Sequence, residues 1–463
     1  MNKKLLAVAV AGALAAPGVA LAQSSVTISG YLKASLDSLT ITQRSVARAA
    51  AGSNASETRI TDHSSRVLFN IVEDLGGGLQ AIGQYDLRIS MDAQQRAQNY
   101  ASPGTAGFTA AGMSPAVNVL NSGNNHVGLR SQTYGSLRMG RQDTHYGNNG
   151  DLISSKSGHL GAYSAAVFDT VMRPGAVGPS ATTGGITGGL GLPAASAGGV
   201  AIANQSRTPN LIWYDAPKWG GLTFMVGYST NPIRTSSTVD TENDLGSVGR
   251  KGRAWTFNPV YTGANWEIAW SHWDAKSDFQ GIGSATPAQA AALLTLCGGA
   301  GATASQCTNN GNDDQRADSL RGHYVFPMGI RLAIGWNRSK TTNPITGLIS
   351  GDRVAWSFPL SYTTGAHTIY WTHTRANDSK DVTTAAGAVI TGGNTGATLN
   401  SIAYNYDLSK RTSVGISYVR LNNAPRASFS LFYQADSAFG SANSLALAGE
   451  DMRLIGAVLR HGF

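Results

Sequence analysis

The stretch "VLFNIVEDLGGGLQAIGQYDLRIS", residues 67–90, decides the fold. Val67, Phe69 and Ile71 share one face before the glycines, with Arg66 and Asn70 on the other, and the alternation resumes from Leu79 onward. A period of two is typical of strands, because successive side chains of an extended chain point to opposite faces. The three glycines at 76–78 permit a tight connection with positive φ angles. The stretch therefore predicts a β-hairpin with one apolar face and one charged face.

The N-terminus predicts export from the cytoplasm. Lys3 and Lys4 precede the apolar run "LLAVAVAGALAAPGVALA", which ends in the small-residue pattern Ala20-Leu21-Ala22. A basic start, an apolar middle and such an ending are typical of a secretory signal peptide. We expect residues 1–22 to be this signal and residues 23–463 to form the mature chain as one domain.

The composition favours an all-β chain with an outer face that avoids charge. Charged residues make up only 13% of the sequence, whereas it holds 56 Gly, 16 Tyr and 9 Trp. After the N-terminus no stretch reaches the roughly 18 apolar residues of a spanning helix. The chain is then either soluble or a closed membrane barrel, since only a closed sheet leaves no unpaired backbone facing lipid. The formal net charge is +8 without any Lys/Arg run, which predicts no nucleic-acid partner.

Alternating segments recur sixteen times along the chain. They are predicted as strands at 25–39, 63–73, 79–91, 124–131, 136–141, 207–215, 221–229, 253–261, 265–273, 318–326, 330–338, 353–362, 366–375, 399–407, 411–421 and 450–463. Short connections such as "DLGGG" and "DLSKR" alternate with long ones rich in Gly, Ser, Thr, Asn and Ala. This rhythm is typical of a membrane barrel with short turns at one end and long loops at the other. A large soluble sandwich is the alternative, and it leaves the rhythm unexplained.

One face of the predicted strands is compatible with lipid. Trp266, Ile268 and Trp270 alternate with Glu267, Ala269 and Ser271, and the segments 331–337 and 353–358 repeat the pattern. Many aromatic residues lie near strand ends, where membrane barrels carry their interfacial girdles. With an even strand number the first and last strands can pair and close the sheet.

Several segments resemble one family of proteins. The stretch "SSRVLFNIVEDLGGGLQAIGQYD" resembles the second and third strands of Gram-negative trimeric porins of the neisserial and burkholderial type. "VGLRSQTYGSLRMGRQDT" is similar to the segment that leads into their constriction loop, and "WYDAPKWGGLTFMVGYS" to their next hairpin. "YNYDLSKRTSVGISYV" is similar to the penultimate hairpin, and "VLRHGF" to the terminal strand.

The resemblance implies an all-β, sixteen-stranded antiparallel transmembrane β-barrel in the outer membrane. It further implies a homotrimer and a water-filled pore narrowed by an inward-folded third loop, here within residues 142–206. The C-terminal aromatic residue, Phe463, would be the assembly signal. We expect the partners to be further copies of the chain, outer-membrane lipid and lipopolysaccharide, and small ions and hydrophilic solutes that diffuse passively.

Inward-facing arginines are the candidates for selectivity, because the charges at the narrowest ring of a pore govern passage. Arg66 lies on the inward side of its strand and matches the family's "SR" pattern, and Asp86 and Arg88 share the inward side of the next strand. Arg207 matches an arginine that the family places on the barrel wall facing the loop. Arg130 and Arg138 are also inward but near a short turn, and are weaker candidates. Guanidinium groups stay charged and attract anions.

The third connection is expected to form the opposing wall of the pore. It is long, and a Gly/Ala-rich tract, "GAVGPSATTGGITGGLGLPAASAGGVA", departs from the family. Its charged residues are few: Asp143, Asp151 and Asp169, with Lys156 and Arg173. This scarcity of carboxylates and the positive net charge predict a slight anion preference.

Other chemistry has little support in the sequence. Cys297 and Cys307 are predicted to form one small loop disulfide, with two free thiols as the alternative. We find no G-x-S-x-G and no H-E-x-x-H, and Asp62-His63-Ser64 is contiguous, which does not make a triad by itself. We therefore expect no metal, no cofactor and no enzyme. Two alternatives stay open: a channel selective for organic acids through Arg66, Arg88 and Arg207, and an outer-membrane hydrolase or adhesin barrel.

Overall fold

The computed structural model describes a large part of the chain. The described residues are 24–42, 56–63, 65–89, 91, 123–144, 168, 170–171, 186–187, 193–194, 200–201, 208–230, 252–277, 314–342, 349–383, 389–427, 429, 431 and 448–463. The predicted signal peptide, residues 1–22, lies outside them. No helix among these residues has the length and apolar character needed to cross a membrane.

The described elements are β-strands. The first six are β1 (Ser25–Thr42), β2 (Ser56–Asp62), β3 (Arg66–Gly76), β4 (Leu79–Arg88), β5 (Asn125–Ser131) and β6 (Gly135–Gln142). Four two-residue strands follow in the third long connection: β7 (Thr170–Val171), β8 (Ile186–Thr187), β9 (Pro193–Ala194) and β10 (Val200–Ala201). Next come β11 (Thr208–Asp215), β12 (Leu222–Ser229), β13 (Gly252–Thr262), β14 (Trp266–Ser277), β15 (Asp314–Val325), β16 (Ile330–Thr342), β17 (Ile349–Thr364) and β18 (His367–Ala376). The last are β19 (Val382–Thr383), β20 (Val389–Ile390), β21 (Ala397–Asp407), β22 (Thr412–Asn423) and β23 (Asp451–Gly462).

Seventeen of these strands form one closed antiparallel sheet. Each long strand pairs with its neighbour in the chain, β6 pairs with β11 across the third long connection, and β1 closes the ring by pairing with β23. β2 and β3 pair with successive parts of β1, so the two short strands occupy a single strand position in the wall. The barrel therefore has sixteen strands around its circumference. The predicted sixteen-stranded barrel is confirmed, and a closed sheet leaves no edge with unpaired backbone groups.

The second wall strand differs from the prediction. The sequence placed it at 63–73, whereas it begins at Ser56 and is interrupted by a bulge before Arg66. Tyr31 pairs with Arg66 but Ala34 pairs with Asp62, which is a shift of one residue. The Lys33 amide donates to the Ser65 hydroxyl at 2.9 Å, so the strand keeps a hydrogen bond where the ladder breaks.

The glycine turn has the geometry that the sequence required. Gly76, Gly77 and Gly78 have φ angles of 83°, 60° and 78°. Residues with a Cβ reach this region at a cost, whereas glycine does not. The short connection of the opening hairpin is therefore confirmed.

Four strands are longer than predicted at the end of the barrel that carries the long connections. β14 continues to Ser277, β15 begins at Asp314, β16 continues to Thr342 and β17 begins at Ile349. Most of the added outward residues are charged and the inward ones are neutral, so the outer face lacks the apolar pattern on which the prediction depended. The wall therefore continues beyond the apolar band of the barrel.

The barrel contains a small apolar cluster inside its long-connection end. Inward side chains of β1 and β21–β23 meet two chain segments that lie inside the wall, at Phe168 and Phe429. The buried wall residues of this cluster include Leu39, Ile41, Leu399, Val419, Leu421, Met452 and Leu454. Part of the barrel interior is thus filled with packed side chains and is not open to water.

Candidate functional site

Basic side chains converge where the first and last strands close the ring. Tyr31, Arg66 and Arg88 are consecutive cross-strand partners on β1, β3 and β4, and all three point inward. Arg66 donates to the Tyr31 hydroxyl at 2.9 Å. The guanidinium carbons of Arg66 and Arg460 lie 5.1 Å and 5.0 Å from the centroid of the Tyr31 ring. The ring therefore holds two cations at the inner surface through its negative π-face.

Arg66 and Arg88 share one counter-ion. The Arg88 Nη2 atom lies 2.9 Å from Asp86 Oδ2, and Arg66 Nη1 lies 3.7 Å from the same oxygen. The Asp86 side chain is 1% exposed, while those of Arg66 and Arg88 are 26% and 14% exposed. Among the described residues, one buried carboxylate thus faces two guanidinium groups that reach the interior.

Arg130 and Arg138 lie on the inner wall near the short turn between β5 and β6. Arg130 donates to Gln80 Oε1 through two nitrogens, at 3.0 Å and 2.8 Å. Arg138 Nε lies 3.5 Å from Asp215 Oδ2, and this carboxylate also accepts a hydrogen bond from the Trp213 indole at 3.1 Å. Asp215 therefore partly neutralises Arg138, whereas Arg130 has a neutral partner.

Asp143 is bound at the start of the third connection. Its Oδ2 atom accepts a hydrogen bond from the Asn124 side-chain amide at 2.7 Å, and its own amide donates to Asn124 Oδ1 at 3.0 Å. The Asn124 backbone amide in turn donates to Asp86 Oδ2 at 3.3 Å. A hydrogen-bonded chain thus links the arginine pair to the point where the third connection leaves the wall.

The third connection reaches the far wall of the barrel. It leaves the wall after β6 and returns at β11, yet the Cα atoms of β7 approach those of β16 and β17 within 8 Å. Phe168 is 3% exposed and its carbonyl accepts a hydrogen bond from Arg353 Nη2 at 3.2 Å. The guanidinium of Arg353, an inward residue of β17, also lies 5.3 Å from the Phe429 ring. Phe168 and β7 of this connection thus lie against the far wall inside the barrel, and Arg353 joins Phe168 to Phe429 after β22.

Other predicted residues fall at the ring closure or outside the described part of the chain. The Phe463 amide donates to the Gly30 carbonyl at 3.1 Å, so the last residue pairs with β1. A Cβ at Gly30 would lie 2.9 Å from the Phe463 ring, so glycine permits this approach. The remaining predicted residues lie outside the described residues: Arg207, Asp151, Lys156, Asp169, Arg173, Cys297 and Cys307.

The sequence prediction missed one buried polar cluster on β1. The Ser35 hydroxyl donates to Asp37 Oδ1 at 2.6 Å and contacts His63 Nε2. Asp37 Oδ2 lies 3.8 Å from that same His63 nitrogen, whereas a catalytic triad places the carboxylate on the other ring nitrogen. All three side chains are buried. Strand parity alone predicts inward positions for Ser35 and Asp37, but only the bulge brings His63 to them.

Metal ligation has no support in the part of the chain that the structure describes. No group of three or more His, Cys, Asp or Glu side chains there is placed to hold an ion.

Comparison with known proteins gives one family and several solved structures. A family model described as Gram-negative porin matches residues 7–425. The fold is similar to an anion-selective porin from Comamonas acidovorans, with a TM-score of 0.56, 17% identity, and coverage of 95% of this chain and 100% of that chain. It is also similar to the trimer form of OmpT of Vibrio cholerae (TM-score 0.52, 12% identity, coverage 95% and 99%). Salmonella typhi OmpF in complex with daunomycin gives a TM-score of 0.50 at 12% identity, with coverage of 95% and 97%. No curated protein matches the chain in sequence.

Proposed function

We propose, starting from the fact that this chain belongs to the Gram-negative porin family, that its outer-membrane channel passes small hydrophilic solutes and ions with a slight preference for anions. Flux through such a channel follows the concentration gradient, and selection is by width and electric field. We propose no catalytic step for it. The one described meeting of Ser, His and Asp side chains is buried and has the wrong hydrogen-bond order for nucleophilic catalysis.

The observation that carries this proposal is the sharing of Asp86 by Arg66 and Arg88. Two permanently charged guanidinium groups reach the interior, and the carboxylate between them is buried. Basic residues also outnumber carboxylates on the described inner face of β23 and β1–β6. The basic residues are Lys33, Arg59, Arg66, Arg88, Arg130, Arg138 and Arg460, and the carboxylates are Asp37, Glu57, Asp74 and Asp86.

A reversal potential under a KCl gradient tests the preference. We expect an anion-signed potential for the wild type, which moves toward zero when Arg66→Ser and Arg88→Ser are combined. Arg316→Ser with Lys340→Ser is the matched control, because it removes the same net charge from outward positions on β15 and β16. A cation-signed wild-type potential, or an equal change in both double variants, would contradict the proposal.

The outer surface supports a homotrimer. All nine tryptophans lie between residues 213 and 371, so β23 and β1–β6 carry none. The exposed outward residues of this Trp-free arc are mostly aliphatic, among them Val26, Ile28, Leu32, Leu36, Ile71, Val127, Leu129, Leu137, Met139, Ile455 and Leu459. Tryptophan marks the surface that meets the lipid interface. An arc without it, on a barrel otherwise ringed by aromatic residues, fits packing against further copies of the chain.

Lipid partners follow from the same surface. The outward aromatic residues of β12–β18, β21 and β22 are typical of a wall that contacts bilayer lipid. We propose that these strands contact outer-membrane lipid, including lipopolysaccharide.

A further inference from the structure

Two arginines on the outside of the barrel face each other across adjacent strands. Arg420 of β22 and Arg453 of β23 are direct cross-strand partners, and both are exposed. Side chains of direct partners are close enough to interact, and like charges placed in this way destabilise a sheet. The arrangement therefore favours an anion that lies between the two guanidinium groups.

Among the residues that the structure describes, the surroundings of this pair are polar and lack an available carboxylate. In the same cross-strand row, Asn400 of β21 flanks Arg420 and Thr40 of β1 flanks Arg453. Asp451, the outward neighbour of Arg453 along β23, is 3% exposed and accepts hydrogen bonds from the Asn422 side chain at 2.6 Å and the Asn423 amide at 2.8 Å. Within the described residues neither arginine of the pair takes part in an ion pair.

A second cross-strand pair of outward basic residues differs from Arg420 and Arg453 because carboxylates flank it. Arg316 of β15 and Lys340 of β16 are also direct partners on the outer face. Their row continues to Asp274 of β14 on one side and to Asp352 of β17 on the other. The two pairs share their geometry and differ in flanking charge, so only the Arg420–Arg453 pair presents an uncompensated positive site.

The position of the pair along the wall indicates the source of the anion. One outward row closer to the short turns, Tyr418 is paired with Ile455, and both are exposed residues of the apolar band on the barrel exterior. The arginines thus lie just beyond the apolar band, toward the long-connection end, where lipid headgroups meet the protein. Arginine forks bind phosphate oxygens through charge-assisted hydrogen bonds, which makes phosphate the fitting ligand at this depth.

We infer that Arg420 and Arg453 form an exterior binding site for a phosphate group of an outer-leaflet glycolipid. The inference rests on the proposed lipid partner and names the residues that hold it. We call β12–β18, β21 and β22, whose outward residues include many aromatics, the aromatic wall. The site lies where the Trp-free arc meets this wall, because β23 belongs to the arc and β22 to the wall. A lipid held there would fill the cleft beside a neighbouring copy of the chain.

Binding of fluorescent diphosphorylated lipid A to the detergent-purified full chain tests the site. We expect Arg420→Gln with Arg453→Gln to weaken binding at least about tenfold, since each basic residue near an anionic headgroup contributes severalfold. Arg316→Gln with Lys340→Gln, which has the same charge change, should alter binding less than about twofold. Arg420→Lys with Arg453→Lys should retain most of it. Lipid A lacking its phosphates should bind the wild type as weakly as the glutamine variant.

Wild-type binding by the Arg420→Gln/Arg453→Gln variant, or equal binding of phosphorylated and dephosphorylated lipid A, would overturn the inference. Heat-modifiable gel migration of every variant establishes that its barrel is folded. The reversal potential of the same preparations separates this result from the channel proposal, because the exterior pair lies outside the pore and should leave the potential unchanged.

Discussion

The two halves of the barrel wall distribute charge in opposite ways. In the Trp-free arc, β23 and β1–β6, most charged side chains point into the barrel, Arg453 being an outward exception, and the exterior is mostly aliphatic. In the aromatic wall, β12–β18, β21 and β22, most inward residues are Ser, Thr, Asn or Ala, and the exterior carries Trp, Tyr and a band of charges. Charged side chains thus point mainly toward the pore in one half of the wall and mainly toward the outside in the other half. This difference is the basis of the proposal that the Trp-free arc contacts further copies of the chain and the aromatic wall contacts lipid.

The strongest test of this difference between the two outer surfaces is to introduce tryptophan on each of them. Val127→Trp with Leu137→Trp adds bulk to the Trp-free arc on β5 and β6, and we expect it to disrupt the trimer. Overpacking costs about 1–3 kcal/mol for each site, and every interface of a trimer would carry it. The measurement is the mass of the purified particle by light scattering.

The matched control is Ile268→Trp with Ile334→Trp, on the outer face of β14 and β16, which are similarly exposed. Lipid accommodates an added indole, so the trimer mass should be unchanged. If both double variants keep the same mass as the wild type, the Trp-free arc faces lipid and the comparison fails.

A second prediction concerns the inward charge of the Trp-free arc. Asp86→Asn removes the buried counter-ion of Arg66 and Arg88, and should cost about 3 kcal/mol because two cations lose their partner. The same change should increase the anion preference, since the guanidinium groups remain. Thermal unfolding and the reversal potential measure the two effects.

The control for this charge is Glu267→Gln on the aromatic wall. Glu267 lies 4.0 Å from a single arginine, Arg321, and is 26% exposed, so both effects should be smaller. A shift of the Asp86→Asn potential toward cations would mean that Asp86 does not neutralise the arginines in the conducting channel.

Strand parity accounts for much of what could be predicted from the sequence. Alternation placed Arg66, Asp86 and Arg88 on the inner face, and the long–short rhythm predicted the strand number and the closure. Both signals are local, because they depend on side-chain direction along one strand. The contacts of Tyr31 with Arg66 and Arg460 could not be predicted in this way. They depend on the register between β1, β3 and β23, which no pattern within a single strand encodes.

The largest omissions lie where distant segments meet. Arg353 was placed inward by alternation, but its contacts with Phe168 and Phe429 depend on the path of two long connections, which no local pattern encodes. The extended ends of β14–β17 were missed for another reason. Their outward residues are charged because they lie beyond the lipid, and the prediction ended each strand where the apolar pattern ended.

The remaining prediction concerns Arg353, a charged exception among the mostly neutral inner residues of the aromatic wall. Its side chain is 1% exposed, donates to the Phe168 carbonyl and lies against the Phe429 ring. Arg353→Gln should weaken this contact by about 2 kcal/mol, the range for a hydrogen bond to a charged group. Since the contact holds the third connection against the far wall, we expect larger fluctuations of single-channel current with little change in the sign of the reversal potential.

Arg321→Gln supplies the comparison for that measurement, because Arg321 is an inward arginine of β15, two strands away, whose ion pair is with Glu267 of the wall. Its current should be as steady as that of the wild type. If the single-channel current of Arg353→Gln is as steady as that of Arg321→Gln, other contacts hold the third connection. The inner face of the aromatic wall then has no role in positioning that connection. If instead the single-channel current of Arg353→Gln alone fluctuates, the two halves of the wall have different roles in the pore. The Trp-free arc supplies the positive charge, and the aromatic wall holds the third connection in place opposite it.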